Sequence, residues 1–484
     1  MIRFMLIIII SALLWVIPKG SAEQAESVEH LIEEVSRTYK TDRLEAAQTI
    51  RLMEDRRIEF PGHDYGPVFH DLTAQRRHYV LDFQSQSAST EYLTEIANTS
   101  YHARSVLRDG TLKFIDYAAG NFEDQGDVEF LSRHGATIRS SAPLLAMWLK
   151  RQEDTASYAG QRLWLGRQHD LLVFEFPQSP PLTLYIDAET KLISKMYRIM
   201  PNGTQVSYTF DRYREHESIP VATEHIVYVG AQQIYWSFKR SILLDERADR
   251  LAFEVESDIA EEPGRVDQSV MSVSDLADGV LHIGQGDAYS TFVETEHGNV
   301  VFGLKAGFEE RLDAWRARVG PDQSVSHVII PDHRPAQIAG LEAAVQSGAQ
   351  LITTNDAISK FKTDESLQAA DYDFVSVDAF PTSESMKLGL VQTAHANEVV
   401  IALTSESGIL LQSEHYAALY ETVPFYAKNT GVTLFKAIGG LDWAPLSIAS
   451  TESRRAEDWA VFSAQVEAFE RVRCHRDRPI CADW

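Results

Sequence analysis

The chain has little that would commit it to a familiar chemistry. It holds two cysteines, Cys474 and Cys481, both in the C-terminal segment RCHRDRPICADW. That excludes a disulfide-built scaffold and leaves no thiol elsewhere for nucleophilic catalysis. In an oxidising compartment the pair is expected to form one small-loop disulfide. A zinc site using His475 is the rival, but two thiolates and one imidazole at this spacing match no strong zinc signature. Positive charge is scarce: 45 Lys and Arg stand against 70 Asp and Glu, for a net charge of −25. That balance repels phosphate backbones, and no basic stripe interleaved with aromatics is present, so nucleic acid is excluded as a partner. Missing too are a Gly-x-Ser-x-Gly elbow, a phosphate-binding P-loop, a His-Glu-x-x-His pair and a Gly-x-Gly-x-x-Gly turn between strand and helix.

Long apolar runs are absent except at the very start. Arg3 precedes a run from Phe4 to Val16 broken only by Ser11, followed by Pro18, Lys19, Gly20, Ser21 and Ala22. A positive end, a short apolar core and small residues before a cut after Ala22 predict a cleaved signal peptide, residues 1–22. The core is too short to span a bilayer comfortably, which takes roughly 20 residues. The expectation is therefore a periplasmic or secreted protein with no membrane span in the mature chain. Losing Arg3 and Lys19 makes the mature charge −27.

What is present is an ordinary folded composition, 44% hydrophobic over 484 residues, long enough for more than one core. Residues 25–56 read mainly as helix, with Leu31, Ile32 and Val35 at helical spacing. From Thr73 the pattern alternates, giving strand-sized segments such as HYVLDF, TLKFIDY, RLWLG and LLVFEF, with a helix over Pro143–Arg151. LTLYID, LISKMYRIM, QVSYTFDRY, IPVATEHIVYV and QIYWSFKRSILL then follow with tight turns between them, an antiparallel meander. SDIAEEPGRVDQ (Ser257–Gln268) is polar and carries Pro-Gly, the best domain boundary in the chain. Beyond it short strands give way to alternating helices and strands, with helices over Phe308–Val319 and Ala336–Gly348. FVSVDAF, VVIALTSE and GILLQSE read as strands at a sheet edge.

The segments YIDAETKLISK, YTFDRYREHESIPVA and the closing LAFEVE resemble the repeating hairpins of the periplasmic lipoprotein-carrier fold, over roughly residues 70–257. That resemblance implies a curved antiparallel half-barrel on helices, able to shelter an apolar ligand. The C-terminal half resembles the metallo-β-lactamase fold over residues 270–450. The opening Leu-x-Asp-Gly-Val-x-x-Ile, the turn at His297-Gly298, VIIPDHRPAQIAGL, GAQLITTNDA, the segment Thr393–Tyr416 and FKAIGGLDWAP carry the likeness. The resemblance implies an αββα sandwich whose strand ends hold two zinc ions on His and Asp ligands, which lower the pKa of a bridging water.

Those ligands are mostly replaced. Asp332 and Arg334 stand for the first two histidines, Ala336 and Gln337 for the next Asp and His. His395 remains, Glu414 takes the bridging-Asp position, and Leu441 the last His. Gly303, Leu304 and Lys305 replace the usual Asp-Thr-Gly. A dinuclear centre cannot be built from this set. His333 would point away from Asp332 on an extended segment. The sharper expectation is that Arg334 fills the metal's place between Asp332 and Glu414 and supplies its charge. His63, Asp64 and His70 also cluster, in a Pro-Gly-rich loop where turn chemistry is the commoner explanation.

The reading is thus an α+β protein: signal peptide 1–22, half-barrel domain 23–257, linker 258–268, metallo-β-lactamase-like domain 269–460 and disulfide tail 461–484. Its expected role is non-catalytic binding or assembly in the cell envelope, with an unknown ligand or envelope protein as partner and no resident cofactor. One alternative is a hydrolase with a reduced metal site at Asp332, His395 and Glu414, zinc being the metal. Another is a carrier holding an apolar ligand in the half-barrel.

Overall fold

In a computed structural model of the protein, the described residues are 22–58, 74–96, 99–245, 250–262, 266–363, 367, 372–380, 384–392, 396–418, 429–470, 474, 476 and 478–482. The signal-peptide expectation and the cluster His63, Asp64 and His70 lie outside them. Two compact units interleave along the chain, residues 1–52, 82–84 and 129–248 in the first, and 53–81, 85–128 and 249–484 in the second.

The chain opens with helices α1 (Ala22–Tyr39) and α2 (Thr41–Ala46), then strand β1 (Thr49–Ile58). Here the helix expected to reach residue 56 gives way to a strand. Ile50, Leu52, Glu54 and Arg56 are buried at every second position, a two-residue period that helical spacing cannot produce. A polar strand face reads poorly on hydropathy, which is why the strand was missed. Next come β2 (Ala74–Asp82), β3 (Ser87–Ile96), β4 (Thr99–Arg108), β5 (Thr111–Asp116) and β6 (Asn121–Asp127), antiparallel neighbours from β3 to β6.

Helices α3 (Phe130–Arg139) and α4 (Ala142–Arg151) follow, the latter buried through its first eight residues, Ala142 to Leu149. Seven antiparallel strands complete the first unit in simple sequence order: β7 (Ser157–Trp164), β8 (Arg167–Phe174), β9 (Leu182–Asp187), β10 (Ile193–Ile199), β11 (Gln205–His216), β12 (Ile219–Val229) and β13 (Gln232–Asp245). The expected meander is therefore present. Its AETK turn is held by the Asp187 carboxylate, which accepts from the Thr190 backbone and hydroxyl at 2.8 and 2.9 Å.

In the second unit LAFEVE does not form a strand. Residues Arg250–Phe253 make a 3₁₀ turn, and the Arg104 guanidinium takes the carbonyls of Leu251 and Ala252 that a ladder would have used. A two-residue strand, β14 (Ala260–Glu261), then lies parallel to β6. Two further sheets carry the C-terminal half. One runs β15 (Ser272–Ala277), β16 (Val280–Gln285), β17 (Ala288–Thr295), β18 (Gly298–Phe302), β19 (Val325–Ile329), β20 (Gln350–Thr353) and β21 (Phe374–Ser376), antiparallel to β18 and parallel beyond. The other runs β22 (Met386–Val391), β23 (Val399–Thr404), β24 (Ile409–Gln412), β25 (Ser447–Ser450) and β26 (Glu457–Asp458). So β23 and β24 are interior strands, not edge strands; both are buried at every residue, as two-sided packing requires.

Helices α5 (Phe308–Val319), α6 (Leu341–Gln346), α7 (Asn355–Phe361), α8 (Asn429–Gly440) and α9 (Trp459–Glu470) complete this unit. The helix expected over 336–348 is shorter because Gly340 is pressed onto its neighbours. A Cβ there would sit 2.5 Å from that of Phe308 and 2.9 Å from the Lys305 carbonyl. One buried cluster takes residues from both sheets, among them Val300, Ile329, Val400 and Leu411. A second joins the seven-stranded sheet to Phe308, Leu312 and Trp315 of α5 and to α6. A third joins the five-stranded sheet to Leu434 of α8 and Phe462 of α9.

Candidate functional site

The site begins where β19 and β24 end. Beyond β19 the chain continues through Ile330 and Pro331, whose carbonyl accepts the Val400 amide of β23 at 2.8 Å. That bond fixes the next residue, Asp332, which is fully buried. Its carboxylate accepts three hydrogen bonds from one residue: the Arg334 backbone N–H at 2.9 Å, Nε at 2.9 Å and Nη2 at 2.6 Å. Arg334 Nη1 donates to Glu414 Oε2, on the turn that follows β24. The guanidinium and Glu414 are nearly buried, at 14% and 11% exposure, so each charge depends on the other two.

Burial works against the Arg334 charge, but the hydrogen bonds and charge of Asp332, reinforced by Glu414, outweigh it and hold the guanidinium above its ordinary pKa. Glu414 goes the other way. Burial raises its pKa to about 7 against the pull of Arg334, and the charges of Asp332 and Glu452 add to the rise. Its Oε1 is buried without a hydrogen-bond partner. At the same strand ends Lys305 Nζ donates to the Asp287 carbonyl at 2.6 Å and sits 3.4 Å from Glu452. Arg311 is 1% exposed, and its guanidinium donates to the carbonyls of Lys305 and Ala306 and to Ser290 Oγ.

The structure thus brings together Asp332, Arg334 and Glu414. His395 lies outside the described residues. His333 is coupled to Asp356, whose carboxyl burial raises while His333 draws it down. Leu441 packs with Trp443 against Gly389, in an apolar cluster. Ala336 is exposed, and Gln337 is buried with its carbonyl oxygen unpaired.

Among the described residues, the cluster of three metal-capable side chains is elsewhere in this unit: His102, Cys474 and Cys481. The two cysteines form the expected disulfide, with Cα atoms 6.0 Å apart. His102 was not legible as their neighbour. The signal was there, since His102 and Arg104 sit in β4 where every residue from His102 to Leu107 is buried. A His and an Arg on an apolar strand face mark a buried polar network.

No protein-family model matches the chain, and no curated protein matches it. Among solved structures it is similar to a metallo-β-lactamase from Pontibacter korlensis, at 14% identity over 42% of this chain and 100% of that one, with a TM-score of 0.32. A metallo-β-lactamase from Hirschia baltica is similar at 8% identity, over 41% of this chain and 97% of that one, with a TM-score of 0.31. The rubredoxin oxygen:oxidoreductase of Desulfovibrio gigas is similar at 11% identity, over 41% of this chain and 61% of that one, with a TM-score of 0.34. At such identities and scores the likeness assigns this chain no activity.

Proposed function

We propose that residues 270–450 form an αββα sandwich of the metallo-β-lactamase type in which a guanidinium does the electrostatic work of the metal, and that the protein is a non-catalytic binding or assembly protein of the cell envelope. The observation that carries this reading is Arg334 hydrogen-bonded to both Asp332 and Glu414 at the ends of strands from two sheets. The layer assignment is supported by the three buried clusters, one between the sheets and one beneath helices on each outer face.

The residues present do not fit zinc. Both Asp332 oxygens and one Glu414 oxygen already accept N–H bonds from a cation. A metal ion drawn to those oxygens would have to displace that cation at close range, against strong repulsion. Without a Lewis acid here, a bridging water has nothing to acidify it, so hydrolysis is not expected. Export and the envelope location rest on the N-terminal segment alone.

Elemental analysis of purified protein, with assays on a chromogenic lactam and a thioester, tests this reading. The expected result is substoichiometric zinc and no turnover with or without added metal. Stoichiometric zinc with metal-dependent hydrolysis lost in H395A would overturn it in favour of the Asp332, His395 and Glu414 hydrolase.

A second reading, carriage of a ligand by a half-barrel spanning residues 70–257, is favoured by one observation in the first unit. Arg139, at the end of α3, is 9% exposed, and no Asp or Glu pairs with it among the described residues. Its Nε and that of Arg198 are buried without hydrogen bonds. Burial, and then the charge of Arg198, push the Arg139 pKa down, while the phenols of Tyr208 and Tyr235 offset part of that. A guanidinium held out of water without a counter-ion calls for an anion, so the ligand would be apolar with an acidic head.

A further inference from the structure

The C-terminal tail is anchored by contacts that do not pass through its disulfide. Arg478 lies between the two cysteines in sequence. Its Nε donates to Glu91 at 2.5 Å, and its Nη1 donates to Glu256 at 2.7 Å. Glu256 also accepts from Tyr117 at 2.8 Å and from Arg104 at 3.1 Å. Arg76 donates to the carbonyls of Ile480 and Ala482, and Arg476 pairs with Asp258 at 2.6 Å. Breaking the Cys474–Cys481 bond would therefore leave both cysteines anchored beside His102, with their sulfurs free to separate to non-bonded distance.

His102 is already oriented for that event. The ring is fully buried on β4, and its Nε2–H donates to Glu91 on β3 at 2.8 Å. A carboxylate can only accept, so the proton of the neutral ring belongs on Nε2. The Nδ1 lone pair then points at Cys474 Sγ, 3.5 Å away. One donor atom from each of His102, Cys474 and Cys481 lies within 4.8 Å of the other two. An imidazole fixed through its far nitrogen by a carboxylate is the outer-shell arrangement that orients metal-binding histidines.

We propose that the reduced tail is a soft-metal site, in which the Cys474 and Cys481 thiolates and His102 Nδ1 hold one Cu(I) ion. Two sulfurs and one nitrogen, with no fourth side chain in the cluster among the described residues, suit an ion that accepts three-coordination and prefers thiolates. Opening the site needs two electrons and two protons from an external dithiol, which leaves as its own disulfide while the Cys474–Cys481 bond breaks. Binding then releases both thiol protons to solvent and forms two S–Cu bonds and one N–Cu bond. The Nε2 proton stays on the ring, bonded to Glu91. The resulting centre carries one negative charge, beside Arg476 and Arg478, both of which lie over the neighbouring Tyr117 ring. While the disulfide stands the site is closed, so the redox state of the tail decides whether metal is held.

The test is competition for Cu(I) under air-free conditions between the mature protein and a chromophoric chelator. The reduced protein is expected to hold one ion and the disulfide form none. C474S/C481S should abolish binding, H102Q should weaken it sharply, and E91Q should weaken it by about 10–100-fold through loss of ring orientation. Equal retention by reduced wild type and C474S/C481S would overturn the site. An unchanged affinity in H102Q would overturn its third ligand. Should H102Q misfold by circular dichroism, thiol alkylation of the wild type decides: Cu(I) must protect both cysteines, and alkylation at the metal-free rate would overturn the proposal.

Discussion

Arg334 and Arg139 are both largely withdrawn from water, yet their surroundings are opposite. Arg334 has two carboxylates, one of them contacted at both oxygens. Arg139 has an aromatic face, Phe176 at 5.3 Å, the phenols of two tyrosines, and a second arginine close enough to repel it. A saturated buried cation is part of the structure and leaves little for a ligand to gain. An unsaturated one stores unfavourable energy that an incoming anion can release. Local geometry sharpens the difference. Arg139 is the last residue of α3, where the helix dipole offers partial compensation, typically 0.3–1 kcal/mol or about 2 kcal/mol at best.

The largest effect expected from breaking this contrast is at Arg334. R334M leaves two buried carboxylates facing each other without a cation, and should cost about 3–5 kcal/mol in urea unfolding. A change below about 1 kcal/mol would show that the network is not holding the strand ends. The matching substitution R139M should be neutral or stabilising in ligand-free protein, by up to about 4 kcal/mol, because it removes an uncompensated charge. The same variant should lose any acidic, apolar molecule seen by native mass spectrometry of protein taken from cell envelopes. Clear destabilisation of ligand-free R139M would show that the guanidinium is already compensated in the free protein and would overturn the contrast.

The smallest effect is in pH dependence. Glu414 keeps its proton up to about pH 7 in the folded chain, whereas an unfolded carboxyl releases it near 4.5. The native state therefore binds more protons across that window, and this group's contribution to stability falls as pH rises from about 4.5 to about 7, then levels off. E414Q should remove that part of the slope in chemical unfolding, and an unchanged profile would place the titration elsewhere.

The Arg334 centre was reached through the family resemblance, which set Asp332 and Arg334 at the positions of the first two histidines. Asp332 and Arg334 are two residues apart, and strand periodicity puts i and i+2 on one side. Glu414 came from the same resemblance, at the bridging-Asp position. Arg139 was invisible: a lone Arg at the end of FLSRHGATIR looks like any solvated helix terminus. Only tertiary packing shows that it is enclosed. The meander was readable because alternation and turn residues agree, whereas β1 hid behind the charges of RLMEDRRI. LAFEVE has the composition of a strand, but its carbonyls were claimed by Arg104, a residue nearly 150 positions upstream in sequence whose reach no local pattern records.

The short span between Asp332 and Arg334 also bears on events before the fold is complete. Closing so small a loop costs little chain entropy, and such contacts form on the timescale of local collapse, far ahead of pairing between distant strands. Asp332 therefore meets its own cation while Glu414, some 80 residues on, is still being brought in. Any metal ion in the surrounding medium competes against a partner tethered to the same tripeptide. The outcome of that competition is set kinetically, during folding, before a finished pocket exists to select anything.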